Sequence, residues 1–387
     1  MARLHRVGRA TSNMQLRSQK REFTSTIAVM TTSNDSSFVS QKKKTVKPKR
    51  TSFRPKFIVA PTSSKFPILT ALKKQRVDPD SIDHDKILLK YPNLIPARLI
   101  RRYKRFLADV VLLDGIAKDE TVQIVDKNLG TKSDGDGIID AEKVVTVYCP
   151  NTGPMVGLLE GLPNARVQLS KSSDPKRKYA YTLEMIQINN GERDVWVGVH
   201  STSANRMIEQ ALTSRWLTEL DHYDSVRREV KFANNSRVDF VLTTNAKDGT
   251  IVHEKYVEVK SVTLAMDGRG KSSSRCAVFP DTVSTRAQKH VTELTDLLST
   301  TTKGLGNRKE NATHKVSGTI IFLVQRDDCT AFAPSIQHDK KFAELCATAA
   351  KSGIQILAYA CALEPDETKK SGTVRLLESL PLHGAAS

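Results

Sequence analysis

Near the middle of the chain, Tyr256-Val257-Glu258-Val259-Lys260 sets an acid and an amine two positions apart within a run of β-forming residues. Alternation along a strand sends residues i and i+2 to one face, so Glu258 and Lys260 point together while Val257 and Val259 point away. A second acid, Asp239, lies in another β-like run over 238–242, and the turn-rich stretch 245–249 separates the two. A hairpin there brings both carboxylates together. Hydrolysis of a phosphodiester needs such a grouping: a hard cation polarises a phosphate oxygen and lowers the pKa of a bound water, and Mg²⁺ is commonly held by one or two carboxylates with water and phosphate oxygens. Asp239 and Glu258 are the candidate ligands for Mg²⁺ (or Mn²⁺). Lys260 is the candidate to orient the attacking water or to offset charge in the transition state. The competing reading is an ordinary same-face ion pair on a solvated strand, which contributes little. The setting favours chemistry, because Val238, Phe240, Val241, Val257, Val259 and Val262 surround the acids and an unpaired carboxylate there is costly.

The elements that must position these residues follow from the pattern after residue 195. A strand over 195–199 precedes a helix that Ser203 would cap and that runs through Arg206, Met207, Ile208, Ala211 and Leu212. Strands are expected over 226–232, 237–242 and 255–264, with Asn234-Asn235 as the turn between the first two. A helix over 283–298, a strand over 319–324, a helix over 340–351 and a strand over 354–360 complete the domain. The order α-β-β-β-α-β-α-β is the core order of the restriction-endonuclease-like fold, in which the second and third strands carry the Asp and the Glu-x-Lys.

Upstream, residues 97–113 form a β-rich opening in which basic residues interleave with Tyr103 and Phe106. Further short runs at 144–148, 156–159, 166–169 and 179–188 suggest a small barrel, taken here as OB-like. Arg101, Arg102, Lys104 and Arg105, with Lys176, Arg177 and Lys178, are candidate phosphate contacts, and Tyr103 a candidate to stack a base. Basic residues on a solvated face are the alternative. The chain is therefore expected to be an α/β (α+β) protein with a basic tail over 1–85, an OB-like domain over 95–190 and a nuclease-like domain over 195–380.

Composition agrees with a polyanionic partner but locates most of the charge elsewhere. The formal net charge is +18, yet residues 1–60 alone hold 14 Lys and Arg against 2 acids, while the remaining chain holds 46 against 40. That tail, rich in Ser and Thr, reads as a targeting segment or a disordered arm. Arg3, Arg6, Arg9 and Arg17 are spaced as in a mitochondrial presequence, and Arg21-Glu22-Phe23-Thr24-Ser25 resembles its processing site. The run Lys42-Lys43-Lys44-Thr45-Val46-Lys47-Pro48-Lys49-Arg50 fits nuclear localisation instead, and the Ser/Thr content also suits a plastid transit peptide. With 39% apolar residues and no apolar run of about 18, no membrane partner is expected. Five scattered cysteines without a Cys-x-x-Cys pair argue against disulfides or a zinc site. A further pattern, Asp134-Gly135-Asp136-Gly137-Ile138-Ile139-Asp140, resembles a calcium loop, but aligning its glycine puts Lys132 and Lys143 where acids are required. An acidic hairpin loop is the better account.

Several further stretches occur in a fixed order: Arg102-Tyr103-Lys104-Arg105-Phe106-Leu107-Ala108-Asp109-Val110, Cys149-Pro150-Asn151-Thr152-Gly153, Asp174-Pro175-Lys176-Arg177-Lys178-Tyr179, Ser236-Arg237-Val238-Asp239-Phe240, the Glu258 strand through Leu264, Phe279-Pro280-Asp281 and Thr285-Arg286-Ala287-Gln288-Lys289-His290. Together they resemble the sugar fermentation stimulation protein A family, over roughly residues 97–380. The resemblance implies an N-terminal OB-like domain, a C-terminal domain of the PD-(D/E)XK nuclease type, DNA binding, and a bacterial role in regulating sugar-utilisation genes. Carried over by motif, it makes Asp239 and Glu258 metal ligands and Lys260 the water-orienting residue, with Glu209 an accessory acid and Gln288 facing the same site. His290 has a structural reading beside a functional one, and Arg286 either holds a phosphate or caps and salt-bridges its helix. The basic tail, the acidic stretch near Asp134 and an insertion over 302–316 depart from the bacterial pattern, and none removes a site residue.

Two functions stand: an Mg²⁺-dependent deoxyribonuclease, or a non-catalytic DNA-binding regulator that retains the nuclease fold. A sugar-metabolising enzyme has no supporting phosphate-cradling glycine loop. Oligomeric state stays open, with a homodimer among the options.

Overall fold

The computed structural model describes residues 86–113, 144–233, 236–267, 275–304 and 314–383. The basic tail with its expected targeting segment, the acidic stretch near Asp134, the Asn234-Asn235 turn and the middle of the 302–316 insertion lie outside the described residues.

A short strand, β1 (Ile87–Tyr91), leads directly into the barrel. There β2 (Leu94–Tyr103) and β3 (Leu107–Leu112) form a hairpin whose reversal falls on Lys104 and Arg105, both at positive φ (49° and 62°). Next come β4 (Val144–Tyr148), β5 (Ala165–Lys171), β6 (Tyr181–Asn189) and β7 (Asp194–Gly198). The sheet runs β4-β3-β2-β5-β6-β7, and a bridge from Tyr148 to Thr182 joins β4 to β6 and closes the barrel. Leu99, Val110, Val147, Val167 and Leu183 fill its interior.

Two sequence expectations are corrected here. Residues 195–199, expected to open the second domain, form the strand that pairs with β6, because Asn190 and Gly191 (φ 92°) make a tight hairpin turn that keeps the chain in the barrel. Residues 156–159 form turns rather than a strand: Met155 and Gly157 take positive φ (57° and 73°), and Met155 and Leu158 plug the barrel core instead.

The second domain starts with α1 (Ser203–Thr213), whose apolar stripe of Met207, Ile208, Ala211 and Leu212 is buried. Thr202, not Ser203, precedes the first turn, and the Ser203 hydroxyl donates to the His200 carbonyl. The antiparallel strands β8 (Ser225–Ala233), β9 (Ser236–Asn245) and β10 (Ile251–Val262) follow, then β11 (Leu264–Asp267) and β12 (Arg275–Phe279). The remaining elements are α2 (Thr285–Gly304), β13 (Lys315–Val324), β14 (Cys329–Pro334), α3 (Ile336–Lys351), β15 (Gln355–Asp366) and β16 (Ser371–Ser379). The main sheet reads β1-β16-β15-β13-β10-β9-β8, with β10, β13 and β15 parallel. This is the expected restriction-endonuclease-like order behind an OB-like barrel. A small sheet, β11-β12-β14, lies beside it.

Strand β1 precedes the barrel in sequence yet pairs with β16, so the second domain draws on chain from both sides of the barrel. Side-chain alternation along β10 explains the layering. Val257 and Val259 pack with Phe240 and α1 on one face, while Val262 joins Phe322, Val291 and Phe342 beneath α2 and α3 on the other. Each large apolar side chain buried this way stabilises the fold by about 1.5–3 kcal/mol. Among the described residues no helix is long and apolar enough to cross a membrane.

Candidate active site

The pairing of β9 with β10 ends at Phe240 and Val257. Asp239 and Glu258 are the next residues of the two strands, just past that last pair. There the backbone N–H of Val259 turns to the side chain of Asp239, donating to Oδ2 at 2.7 Å. Asn205, in the first turns of α1, donates from Nδ2 to Asp239 Oδ1 at 2.6 Å. Asp239 is thus held at the point where two strands part, by one donor from the strand and one from the helix.

Glu258 is 4% exposed. Its Oε1 is shared by Lys260 Nζ, two residues along the strand, and by His290 Nδ1 from α2. Burial alone would push this carboxyl up, but the Lys260 ammonium and the His290 contact outweigh it and hold Glu258 below the usual range. Burial pushes Asp239 up and the charge on Glu258 pushes it further, to about 6, against the Val259 N–H, Lys260 and Asn205. Of the two acids Glu258 ionises first, and Asp239 holds the last proton.

This donor set suits a hard divalent cation. Two carboxylates face one point of the sheet, and Glu258 already raises Asp239 by repulsion, which a cation relieves. Among the described residues no cluster of three or more His, Cys, Asp or Glu supplies further side-chain ligands. Two carboxylates with water and phosphate oxygens are a common way to bind Mg²⁺.

The site opens into a cleft of about 670 Å³ between the barrel and the second domain. It is lined by Asn205, Val259 and Lys260, by Arg102, Tyr103 and Arg105 from the β2–β3 hairpin, and by Asp281, Val283 and Arg286. The hairpin is braced against the barrel loop that follows β4: Arg102 Nη2 donates to the carbonyls of Arg105 and Asn151, each at 2.6 Å. That loop is tied in turn to the second domain, where Met155 N–H donates to Asp281 Oδ2 at 3.2 Å.

The sequence-predicted residues divide accordingly. Asp239, Glu258 and Lys260 come together, and Arg102, Tyr103, Arg105 and Arg286 line the cleft above them. Glu209 does not join them: it pairs with Arg228 of β8 at 2.8 Å, and Asn205, one helical turn earlier on the same stripe, takes the contact with Asp239. Gln288 is buried and donates to both oxygens of Asp339 in α3 at 2.8 and 3.0 Å. His290 lies two positions on, about 200° round the helix, and so faces β10 instead. Tyr103 donates its hydroxyl to Asp109 at 3.0 Å and carries the Arg101 guanidinium over its ring at 5.1 Å, which covers one face. Arg101 also pairs with Asp109 at 2.8 Å. Lys104, Lys176, Arg177 and Lys178 are exposed on the barrel.

The chain and its fold match known proteins. Residues 100–199 match the SfsA N-terminal OB domain, and residues 202–367 match the sugar fermentation stimulation protein RE domain. A sugar fermentation stimulation protein homolog of a Picosynechococcus species is 38% identical over 72% of this chain and 88% of its own length. The chain belongs to the sugar fermentation stimulation protein family. A homolog from Acaryochloris marina is 36% identical over 76% of this chain and 97% of its own, and one from a Shewanella species is 37% identical over 75% and 97%. A solved structure of SfsA from Pyrococcus furiosus in complex with Ca²⁺ shares the fold, with a TM-score of 0.56 and 20% identity, covering 77% of this chain and 99% of that one.

Within this family pattern, the residue that sequence reasoning missed is Asn205. Its signal was the i, i+4 stripe it shares with Glu209, read one turn too late. His290 was visible in the sequence, but only the phase of α2 reveals that it, and not Gln288, reaches Glu258.

Proposed function

We propose that this family member is a DNA-binding, divalent-metal-dependent deoxyribonuclease. The observation that supports it most is the grouping of Asp239, Glu258 and Lys260 beside a cleft that Lys260 itself lines together with Arg102, Arg105 and Arg286. Asp239 and Glu258 would hold Mg²⁺ or Mn²⁺; the binding of Ca²⁺ by the Pyrococcus furiosus relative is consistent with a hard-cation site in this family. Such a cation, once bound, polarises a phosphate oxygen and lowers the pKa of water.

The chain's own groups do the rest. Asn205 and the Val259 N–H fix the Asp239 carboxylate in one orientation, and His290 does the same for Glu258. The Lys260 ammonium, 11% exposed and beside Glu258, orients a water and offsets negative charge that develops on the phosphate. Arg102, Arg105 and Arg286 hold the DNA backbone.

A second reading, a DNA-binding regulator without turnover, is favoured by one observation: Lys260 and His290 already share Oε1 of Glu258, so the carboxylate is neutralised without a cation and only Oε2 is left to serve as a ligand. Incubating the full chain with plasmid and short DNA in Mg²⁺, Mn²⁺ or EDTA, beside Asp239→Ala and Lys260→Ala variants, separates the two. Metal-dependent cutting that both variants lose is the expected result. DNA binding by all three proteins with no cutting in either metal would leave the regulator.

A further inference from the structure

The basic hairpin that lines the cleft carries one aromatic side chain that neither the barrel core nor the catalytic arrangement uses. Phe106, next to Arg105 at the turn, is 41% exposed although it is a large apolar group. It lies over Tyr148 with ring centroids 6.4 Å apart and planes at 20°, an offset stack. The Arg177 guanidinium sits 5.7 Å from the centre of the same Tyr148 ring. Backbone bonds fix the assembly: Phe106 N–H donates to the Lys104 carbonyl, and Cys149 N–H donates to the Phe106 carbonyl, both at 2.7 Å. Tyr103, by contrast, is pinned through its hydroxyl and covered by Arg101.

We infer that Phe106, Tyr148 and Arg177 form a base-stacking ledge for an unpaired DNA strand, so that the substrate class is DNA with a single-stranded segment. Two features of the molecule converge on this. The ledge offers an aromatic face beside guanidinium groups, the combination that binds single strands with little sequence preference. In a duplex the bases are stacked on one another and cannot offer their faces to Phe106. The ledge also adjoins the cleft along the chain: Arg105, which lines the cleft, directly precedes Phe106, and Asn151, which also lines it, lies three residues after Tyr148.

The cleft is compatible with the same reading. At about 670 Å³ it falls in the range of small-ligand pockets, roughly 300–1,000 Å³. The side chains it must deliver a phosphate to are almost fully buried, Glu258 at 4% and Lys260 at 11% exposure. A single strand can thread such a space, whereas duplex DNA is stiff over about 150 base pairs and keeps its phosphates on the outside of a rod. Val283, 64% exposed and also lining the cleft, offers an apolar contact to a second splayed base.

This inference rests on the nuclease reading for the direction in which the strand runs, from the ledge to Lys260. The test is anisotropy of the full chain in EDTA with three labelled DNAs of one sequence: a single strand, a blunt duplex and a duplex with an unpaired tail. The wild type is expected to bind the single strand and the tailed duplex more tightly than the blunt duplex. Phe106→Ala is expected to weaken single-strand binding by roughly 5- to 150-fold while leaving the blunt duplex unchanged, and Phe106→Trp to restore it. Added single strand should quench the fluorescence of the introduced indole. A wild type that prefers the blunt duplex, or a Phe106→Ala variant that loses both DNAs equally or neither, would overturn the ledge. Cleavage in Mg²⁺ is scored separately: single-strand preference without cutting defeats only the nuclease reading, and cutting with duplex preference defeats only the ledge.

Discussion

Replacing Asp239 by Asn should stabilise the metal-free protein, and by an amount that depends on pH. The folded environment raises Asp239 from 3.8 to about 6. At about 1.4 kcal/mol per pKa unit, holding this carboxylate ionised costs about 3 kcal/mol at pH 8. The sign follows from proton counting: between these two values the folded state binds more protons than the unfolded state, so stability falls as pH rises through that window. Below it the cost disappears, and at pH 5 it is about half its full size. Asparagine removes the charge but weakens the bonds from Val259 and Asn205, a loss of about 1–2 kcal/mol that is the same at both pH values. Thermal unfolding in EDTA should therefore show Asp239→Asn more stable than wild type by about 1–2 kcal/mol at pH 8 and close to it at pH 5. For a chain of this size that is a rise of a few degrees, about 2–4 °C per kcal/mol. Millimolar Mg²⁺ should raise the wild type and not the variant. An Asn variant that changes stability equally at both pH values would refute the electrostatic account of the site.

Two further outcomes follow from the same structure. Arg326 is 2% exposed and bonds Asp328 twice, at 2.6 and 2.7 Å, as well as the Thr263 carbonyl just beyond β10. Asp328→Ala strands that cation and should cost about 3–5 kcal/mol in urea unfolding; a loss under about 1 kcal/mol would mean that the buried charge finds another partner. Neutralising Lys176, Arg177 and Lys178 together should lower the slope of log K against log[salt] for DNA binding by about 2; an unchanged slope would remove them from the interface.

Much of the grouping of Asp239, Glu258 and Lys260 was legible because it depends on local rules. Strand alternation put Glu258 and Lys260 on one face, and a turn-rich stretch, realised around Gly249 (φ 86°), returned β9 against β10. The order of helices and strands was likewise readable, since each long element carries its own period. What escaped depends on phase and on distant pairing. The rotation of α2 decides that His290 rather than Gln288 meets Glu258, and no local pattern records it. Strand β1 pairs with β16 across almost the whole described chain, and β11, β12 and β14 are too short to carry a period. Residues 195–199 pair with β6 instead of opening the second domain, and the Asn190-Gly191 pair between the two β runs is the local signal for that hairpin.

The central claim is that Asp239, Glu258 and Lys260 cut DNA rather than merely accompany its binding. Single-turnover cleavage of a labelled, partly single-stranded DNA in Mg²⁺, with binding measured on the same samples in EDTA, tests it in wild type and Lys260→Ala. Loss of the cleavage rate by about 100-fold or more with DNA affinity unchanged is the predicted result. Cleavage that survives the substitution, or that falls only in proportion to binding, would contradict it.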